Sequence, residues 1–188
     1  MKRSNFSTSI MEIIQQRYSC RKYKFEQIDE KTKNNLIEFL QKGHTSPIEG
    51  ETRFELIEMI DLDPREKRQL GTYGFIQGAQ NFIVGATKKS MHDLENFGYI
   101  MEELILYATD LGLGTCWVGG TLKRNKFAAQ INIRGDEVVP AITPVGYASK
   151  KRSKVDRLAR WAARSKKRHP WEILFFEGDC SHSLSREK

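Results

Sequence analysis

The sequence predicts a fold that mixes helices and strands, α+β or α/β, and two observations carry that reading. From Met91 to Leu111, apolar residues recur on an i, i+3, i+4 rhythm through Leu94, Ile100, Met101, Leu104, Ile105, Ala108 and Leu111. So broad an apolar surface predicts a central, buried helix. Around it lie short apolar, β-prone runs: Arg53 to Met59, Asn81 to Ala86, Gly114 to Val118 and Val138 to Val145. Strand and helix patterns therefore alternate along the chain.

The elements follow in order. Ser7 to Arg17 opens on capping residues and spaces Ile10, Ile13 and Ile14 as one helical stripe, so a short amphipathic helix delivers Arg17 at its end. Asp29 caps a second helix with Leu36, Ile37 and Leu40 as its stripe, and Gly43 stops it. Residues 45–52 read as a loop, and Asp63-Pro64 begins a polar turn after the first strand. Gly112 ends the long helix, Lys123 to Gln130 forms a short one, and Val155 to Arg164 forms another with Val155, Leu158, Trp161 and Ala162 on one side. No internal repeat or low-complexity tract interrupts this order.

With 188 residues, 39% hydrophobic and 29% charged, the chain suits one globular domain. No run reaches the roughly 18 to 20 apolar residues of a membrane helix, and MKRSNFSTS lacks the apolar stretch of a secretory signal. A cytoplasmic protein with no membrane partner is the expectation. Cys20, Cys116 and Cys180 are odd in number and widely spaced, which predicts three reduced thiols. Cys180 and His182 alone cannot complete a structural zinc site, which needs four ligands, so no metal is expected.

The net charge of +7 is concentrated. Ten Lys or Arg lie between Lys150 and His169 against Asp156 alone, while the rest of the chain holds 21 basic and 23 acidic residues. The sequence contains no Gly-x-Ser-x-Gly elbow, no P-loop and no His-Glu-x-x-His, and its four His are scattered, so hydrolytic chemistry is disfavoured.

Three stretches remain, and each suits anion or backbone binding without a catalytic side chain. In Arg17-Tyr18-Ser19-Cys20-Arg21-Lys22-Tyr23, an extended backbone would send Arg17, Ser19 and Arg21 to one face, where forked guanidinium donors match a phosphate. A solvated charged loop explains the same residues equally well. In Gly112-Leu113-Gly114-Thr115-Cys116-Trp117-Val118-Gly119-Gly120-Thr121, glycines let a planar ligand approach main-chain N–H groups. A tight helix-to-strand connection around a core Trp and Cys explains Gly112 and Gly114, and Gly119-Gly120-Thr121 less well. In Pro144-Val145-Gly146-Tyr147-Ala148, a strand ends in a glycine turn and then presents Lys150, Lys151 and Arg152. From Arg157 onward the cations read as a generic basic surface.

Together these stretches resemble the nitroreductase family. The wording of LGTYGFIQGAQNFIVGA, FGYIMEELILYATDLGLGTCWVGG and PAITPVGYASKKRS is closest to a group within it, and the likeness runs from Arg17 to about Asp179. It implies an α+β fold, a nitroreductase-like α/β sandwich with a central mixed sheet packed by helices. Residues 1–179 would form that domain and 180–188 a polar tail. It also implies FMN bound between two subunits or two equivalent halves, in a homodimer or pseudo-dimer. By position, Arg17, Ser19 and Arg21 would hold the flavin phosphate and ribityl chain with Lys151 and Arg152, and Gly119, Gly120 and Thr121 would line the isoalloxazine edge. Tyr73 and Phe75 would face the substrate. NAD(P)H would be the donor and a nitroaromatic, quinone or enone the small-molecule acceptor, with no acid or base residue required.

The resembling group carries a flavin-contacting Pro-Ser-x-x-Asn-x-Gln-Pro-Trp segment beyond the stretch here written PWEILFFEGD, and this sequence ends at Lys188 before reaching it. A C-terminally truncated domain is therefore expected. Two other functions follow as alternatives: a non-catalytic flavin or nucleotide binder, and a nucleic-acid module driven by residues 150–169, which has only Trp161 and Trp171 nearby for stacking and no reader motif.

Overall fold

The structure, a computed structural model, describes residues 6–44, 46–59, 76–120, 123–149 and 169–186. They fall in two units, 1–152 and 153–188. The predicted helix at 155–164, the turn at Asp63-Pro64, and Tyr73, Phe75, Thr121, Lys151 and Arg152 lie outside the described residues.

The first unit is built from α1 (Ile10–Gln16), α2 (Glu30–Gln41), β1 (Thr52–Glu58), β2 (Asn81–Lys88), α3 (Asp93–Asp110), β3 (Gly114–Thr115), α4 (Arg124–Gln130), β4 (Glu137–Val138) and β5 (Ile142–Gly146). The sheet runs β1-β2-β5-β3, with β4 also paired to β2. All four ladders are antiparallel, and parallel pairing enters through isolated bridges at Ser19 and Lys22.

Local chemistry sets the helix ends. Asp29 caps α2 by accepting from the Thr32 N–H at 3.0 Å. Gly112 has φ +78, and the Leu113 N–H reaches back to the Ala108 carbonyl at 2.9 Å, the closing turn that a left-handed residue makes possible. The long helix begins at Asp93 rather than Met91, and Leu94, expected in its stripe, is exposed because it precedes the turns that meet the sheet.

Packing then divides the core by strand alternation. Phe54, Ile83 and Val145 face α2 and α3, where Leu36, Phe39, Phe97, Met101, Leu104 and Ile105 are buried. Ile57, Phe82, Val84 and Ile142 face the opposite way, against Phe127, Ala128 and Ile131 of α4 and its end. The run predicted as one strand from Val138 to Val145 is two, β4 and β5, interrupted at Val139–Ala141. Pro140 lacks the N–H a continuous ladder would need there.

The first helix departs most from its predicted stripe. Ile13 is buried at 1% exposure, whereas Ile10 and Ile14 are 41% and 50% exposed. Among the described residues α1 rests chiefly on α3, so only one line of its side chains finds a covering surface. Ser7, expected as a cap, instead binds Asp110, its N–H at 2.6 Å from Oδ2 and its Oγ at 2.8 Å from Oδ1.

In the second unit Trp171 stacks on Phe175 at 3.9 Å and donates its indole N–H to the Leu184 carbonyl at 2.7 Å. Phe176 bridges Ser183, so residues 180–184 fold back on the aromatic stretch before them.

Candidate functional site

The three stretches singled out in the sequence come together at the β3 edge of the sheet. The chain leaves α1 with Arg17 extended, at φ −61 and ψ 133. Ser19 bridges Thr115 in parallel, with the Cys20 N–H donating to the Thr115 carbonyl at 2.7 Å. Two residues on, Lys22 bridges Gln77, and Tyr23 bridges Ala148. The Ser149 N–H donates to the Lys22 carbonyl and the Lys24 N–H to the Tyr147 carbonyl, both at 2.9 Å. The stretch is thus an extended segment stitched between β3 and the residues after β5, and not a free charged loop.

Alternation holds only from Arg17 to Arg21 and only in part, since Tyr18, of the same parity as Cys20, is 41% exposed and Tyr23, of the same parity as Arg21, is buried. Cys20 is buried at 2%, while Arg17, Ser19 and Arg21 are half-buried. A Cβ on Gly114 would lie 2.8 Å from both Cβ and Sγ of Cys20, so this glycine exists to admit the cysteine. Tyr23 is buried beside it and donates to the Cys20 and Pro144 carbonyls at 2.8 and 3.2 Å. Burial, with Cys20 and Cys116 adding to it, pushes the Tyr23 phenol well above its ordinary range. Cys20 and Tyr23 thus fasten the segment to the core.

Around Arg17 and Ser19, polar groups stay unmet among the described residues. Ser19 forms no side-chain hydrogen bond among the described residues, and the Thr115 Oγ1 beside it is buried without a partner. Arg17 Nε lies 3.6 Å from Glu102 Oε1 on α3, an ion pair too long to be a hydrogen bond. Neither terminal nitrogen of Arg17 is hydrogen-bonded among the described residues. The second carboxylate oxygen of Glu102 accepts the Trp117 indole N–H at 2.7 Å. Trp117, read as a core residue in the tight-connection alternative, is 36% exposed, and Cys116 alone takes the core position.

Gly119 and Gly120 follow directly. Neither has a positive φ, and nothing lies within 4 Å of a Cβ built on Gly120. Backbone strain therefore explains neither; Gly120 faces open space, whereas a Cβ on Gly119 would meet Ala141 Cβ and the Pro140 carbonyl at 3.6 Å. Arg124, absent from the sequence reading, braces this turn by donating from Nε to the Val139 carbonyl at 3.1 Å and from Nη2 to the Gly119 carbonyl at 3.4 Å.

The structure thus brings Arg17, Ser19 and the 115–120 turn together and places Arg21 farther along the same segment, where its carbonyl accepts the Gln77 N–H at 2.9 Å. A half-buried guanidinium with open terminal donors, a hydroxyl and an uncovered glycine backbone fit the phosphate and planar ring of a flavin mononucleotide. Glu102 was not legible beforehand, because its place in the α3 pattern marks only a solvent-facing helix position. Among the described residues no group of three or more His, Cys, Asp or Glu could hold a metal ion, and no helix is long and apolar enough to cross a membrane.

The family model described as "Putative TM nitroreductase" matches residues 9–183. Among solved structures, the chain is similar to a nitroreductase family protein from Clostridium difficile 630, at 17% identity over 92% of this chain and 99% of that one, with a TM-score of 0.63. It is similar to a nitroreductase with bound FMN from Bacteroides fragilis NCTC 9343, at 17% identity over 78% and 92%, with a TM-score of 0.58. An oxidoreductase described as containing FMN matches at 16% identity over 97% and 100%, with a TM-score of 0.66. At these identities the likeness is one of fold. No curated protein matches the sequence.

Proposed function

The chain belongs to the nitroreductase family, and from that membership we propose that it is an FMN-dependent oxidoreductase. It would take electrons from NAD(P)H and pass them to a nitroaromatic, quinone or enone-type acceptor. The observation that carries this reading is Arg17: a half-buried guanidinium whose terminal nitrogens have no hydrogen bond among the described residues, beside Ser19 and the turn that leads to the open Gly120. The FMN named in the Bacteroides fragilis structure supports the choice of cofactor.

In this reading Arg17 and Ser19 hold the phosphate, Arg21, Lys151 and Arg152 add positive charge, and the backbone of Gly119, Gly120 and Thr121 lines the ring edge. Bound FMN supplies the electron-transfer chemistry, so the chain's residues bind, orient and exclude water and no side chain acts as acid or base. The exposed Ile10, Met11 and Ile14 of α1, with Tyr18 and Tyr99 near Arg17 and Glu102, support a second copy of the chain as partner. Light scattering that gave a monomer at micromolar concentration would exclude that assembly. A cytoplasmic location completes the proposal.

The test is the visible spectrum of the purified protein with added FMN. Flavin absorbance retained through gel filtration, bleached by NADH or NADPH without oxygen and restored by a quinone or nitroaromatic, is the expected result. Binding without bleaching would leave a flavin binder that is no enzyme. Salt-sensitive DNA binding with no flavin retained would replace the reading altogether.

A further inference from the structure

We infer that Glu102 is a positioning residue that aims Arg17 and thereby sets the preference of the site for a phosphorylated flavin over an unphosphorylated one. The inference rests on the reading of Arg17 as the phosphate ligand. Glu102 meets Arg17 on the Nε flank, at 3.6 Å, and neither terminal nitrogen is hydrogen-bonded among the described residues. A guanidinium gripped from that side presents its fork outward, in the geometry that matches two phosphate oxygens.

Energy arguments favour a geometric role over a stabilising one. The Glu102 side chain is 41% exposed and the pair is a single long contact, the kind of surface ion pair that adds little to folding. The carboxylate is itself held: the Trp117 indole N–H fixes Oε2 at 2.7 Å, which leaves Oε1 for Arg17. Glu102 therefore joins the end of α1 to the turn that continues into Gly119-Gly120.

The same helix anchors α1 twice. Asp110 binds Ser7 at its start and Glu102 binds Arg17 at its end. The eight-residue spacing of the two carboxylates spans about 12 Å of helix, close to the length of the seven-residue α1. Asp110 meets a backbone N–H and a hydroxyl and so fixes only the helix, whereas Glu102 meets a guanidinium whose terminal nitrogens have no hydrogen bond among the described residues.

The test compares FMN with riboflavin, which lacks the phosphate, by quenching of flavin fluorescence in the wild-type chain and in Glu102→Gln. The amide oxygen of Gln can still accept from Trp117, so the substitution removes the charge that holds Arg17 and little else. The expected result is an FMN Kd raised about five- to ten-fold with riboflavin binding within about two-fold. Adding Glu102→Gln to Arg17→Ala is expected to change nothing further, because the group it aims is gone. Glu102→Asp, which keeps the charge at shorter reach, is expected to lose a smaller part of the preference and serves if Glu102→Gln does not fold. Unchanged or tighter FMN binding in Glu102→Gln would overturn the assignment, as would equal losses for FMN and riboflavin. Wild-type protein that binds no FMN would instead overturn the reading beneath it.

Discussion

Two arginines in this molecule each face a glutamate, and they end in opposite conditions. Arg53 on β1 donates from Nε and Nη2 to the two oxygens of Glu137, both at 2.9 Å, reaches the Ile131 carbonyl at 3.0 Å, and pairs through Nη1 with Glu55. Glu137 is only 5% exposed and also accepts the Arg134 N–H at 2.9 Å. Among the described residues Arg17 forms no hydrogen bond through its side chain and meets a carboxylate that is 41% exposed, at 3.6 Å. A satisfied fork closes a structure, tying β1 to β4 and to the end of α4. An unsatisfied fork held by its flank is available to something outside the chain. The contrast locates function by what is left unpaired rather than by charge.

The comparison breaks most readily at Glu137. Glu137→Ala removes the two-pronged partner of Arg53, leaving it Glu55 and the Ile131 carbonyl, and is expected to lower unfolding free energy by about 2 kcal/mol, measured by urea denaturation, with flavin affinity unchanged. A loss below about 1 kcal/mol would erase the distinction between the two arginines.

Acid should show the same asymmetry. The Arg53 hydrogen bonds, offset in part by burial, hold the Glu137 carboxyl at about 2, below its ordinary 4.5. A carboxyl lowered in the folded state stabilises above its unfolded pKa, and that stability is lost as pH falls from about 4.5 towards about 2. At roughly 1.4 kcal/mol per unit this acid limb amounts to about 3 kcal/mol, and Glu137→Gln should flatten it. Asp29, held at about 2 by the Tyr147 hydroxyl and the Thr32 N–H, titrates in the same window. Tyr147→Phe should leave a smaller, separate change in the melting curve at pH 3.

Gly114→Ala places a methyl 2.8 Å from Cys20 and is expected to cost about 2 kcal/mol in thermal unfolding, because backbone and core thiol must both shift. Arg17→Ala is expected to weaken FMN binding at least about ten-fold, about 1.4 kcal/mol, while stability changes by less than about 1 kcal/mol. Loss of stability in place of affinity would put Arg17 in the same class as Arg53. Gly120→Ala has the smallest expected effect on folding, within about 0.5 kcal/mol, since its Cβ would meet nothing within 4 Å. A flavin affinity lowered by the same change would sharpen the division between glycines that admit a neighbour and those that leave room.

Much of this was legible beforehand where the signal is local. The Asp29 cap, the Gly112 stop and the apolar rhythm of α3 each depend on residues within a turn or two of one another. The extended course of residues 17–23 was one of two readings the sequence left open, and the burial of Tyr23, of the same parity as Arg21, could not be read from alternation. The exposed Ile10 and Ile14 were not legible either, since periodicity records which residues are apolar and not how wide a surface will cover them.

By itself, then, the sequence determined the order of most helices and strands and the likeness to the nitroreductases, and it singled out residues 17–21 as a candidate anion-binding stretch. Only the tertiary structure decided that Ser19 lies against Thr115 and Lys22 against Ser149, that Cys20 fills the space Gly114 leaves, and that Glu102 stands between Arg17 and Trp117. These contacts join residues far apart in the chain, so no spacing or period encodes them. They exist because sheet pairing and helix packing bring the segments edge to edge, and partners are chosen there by distance and unmet hydrogen-bonding capacity.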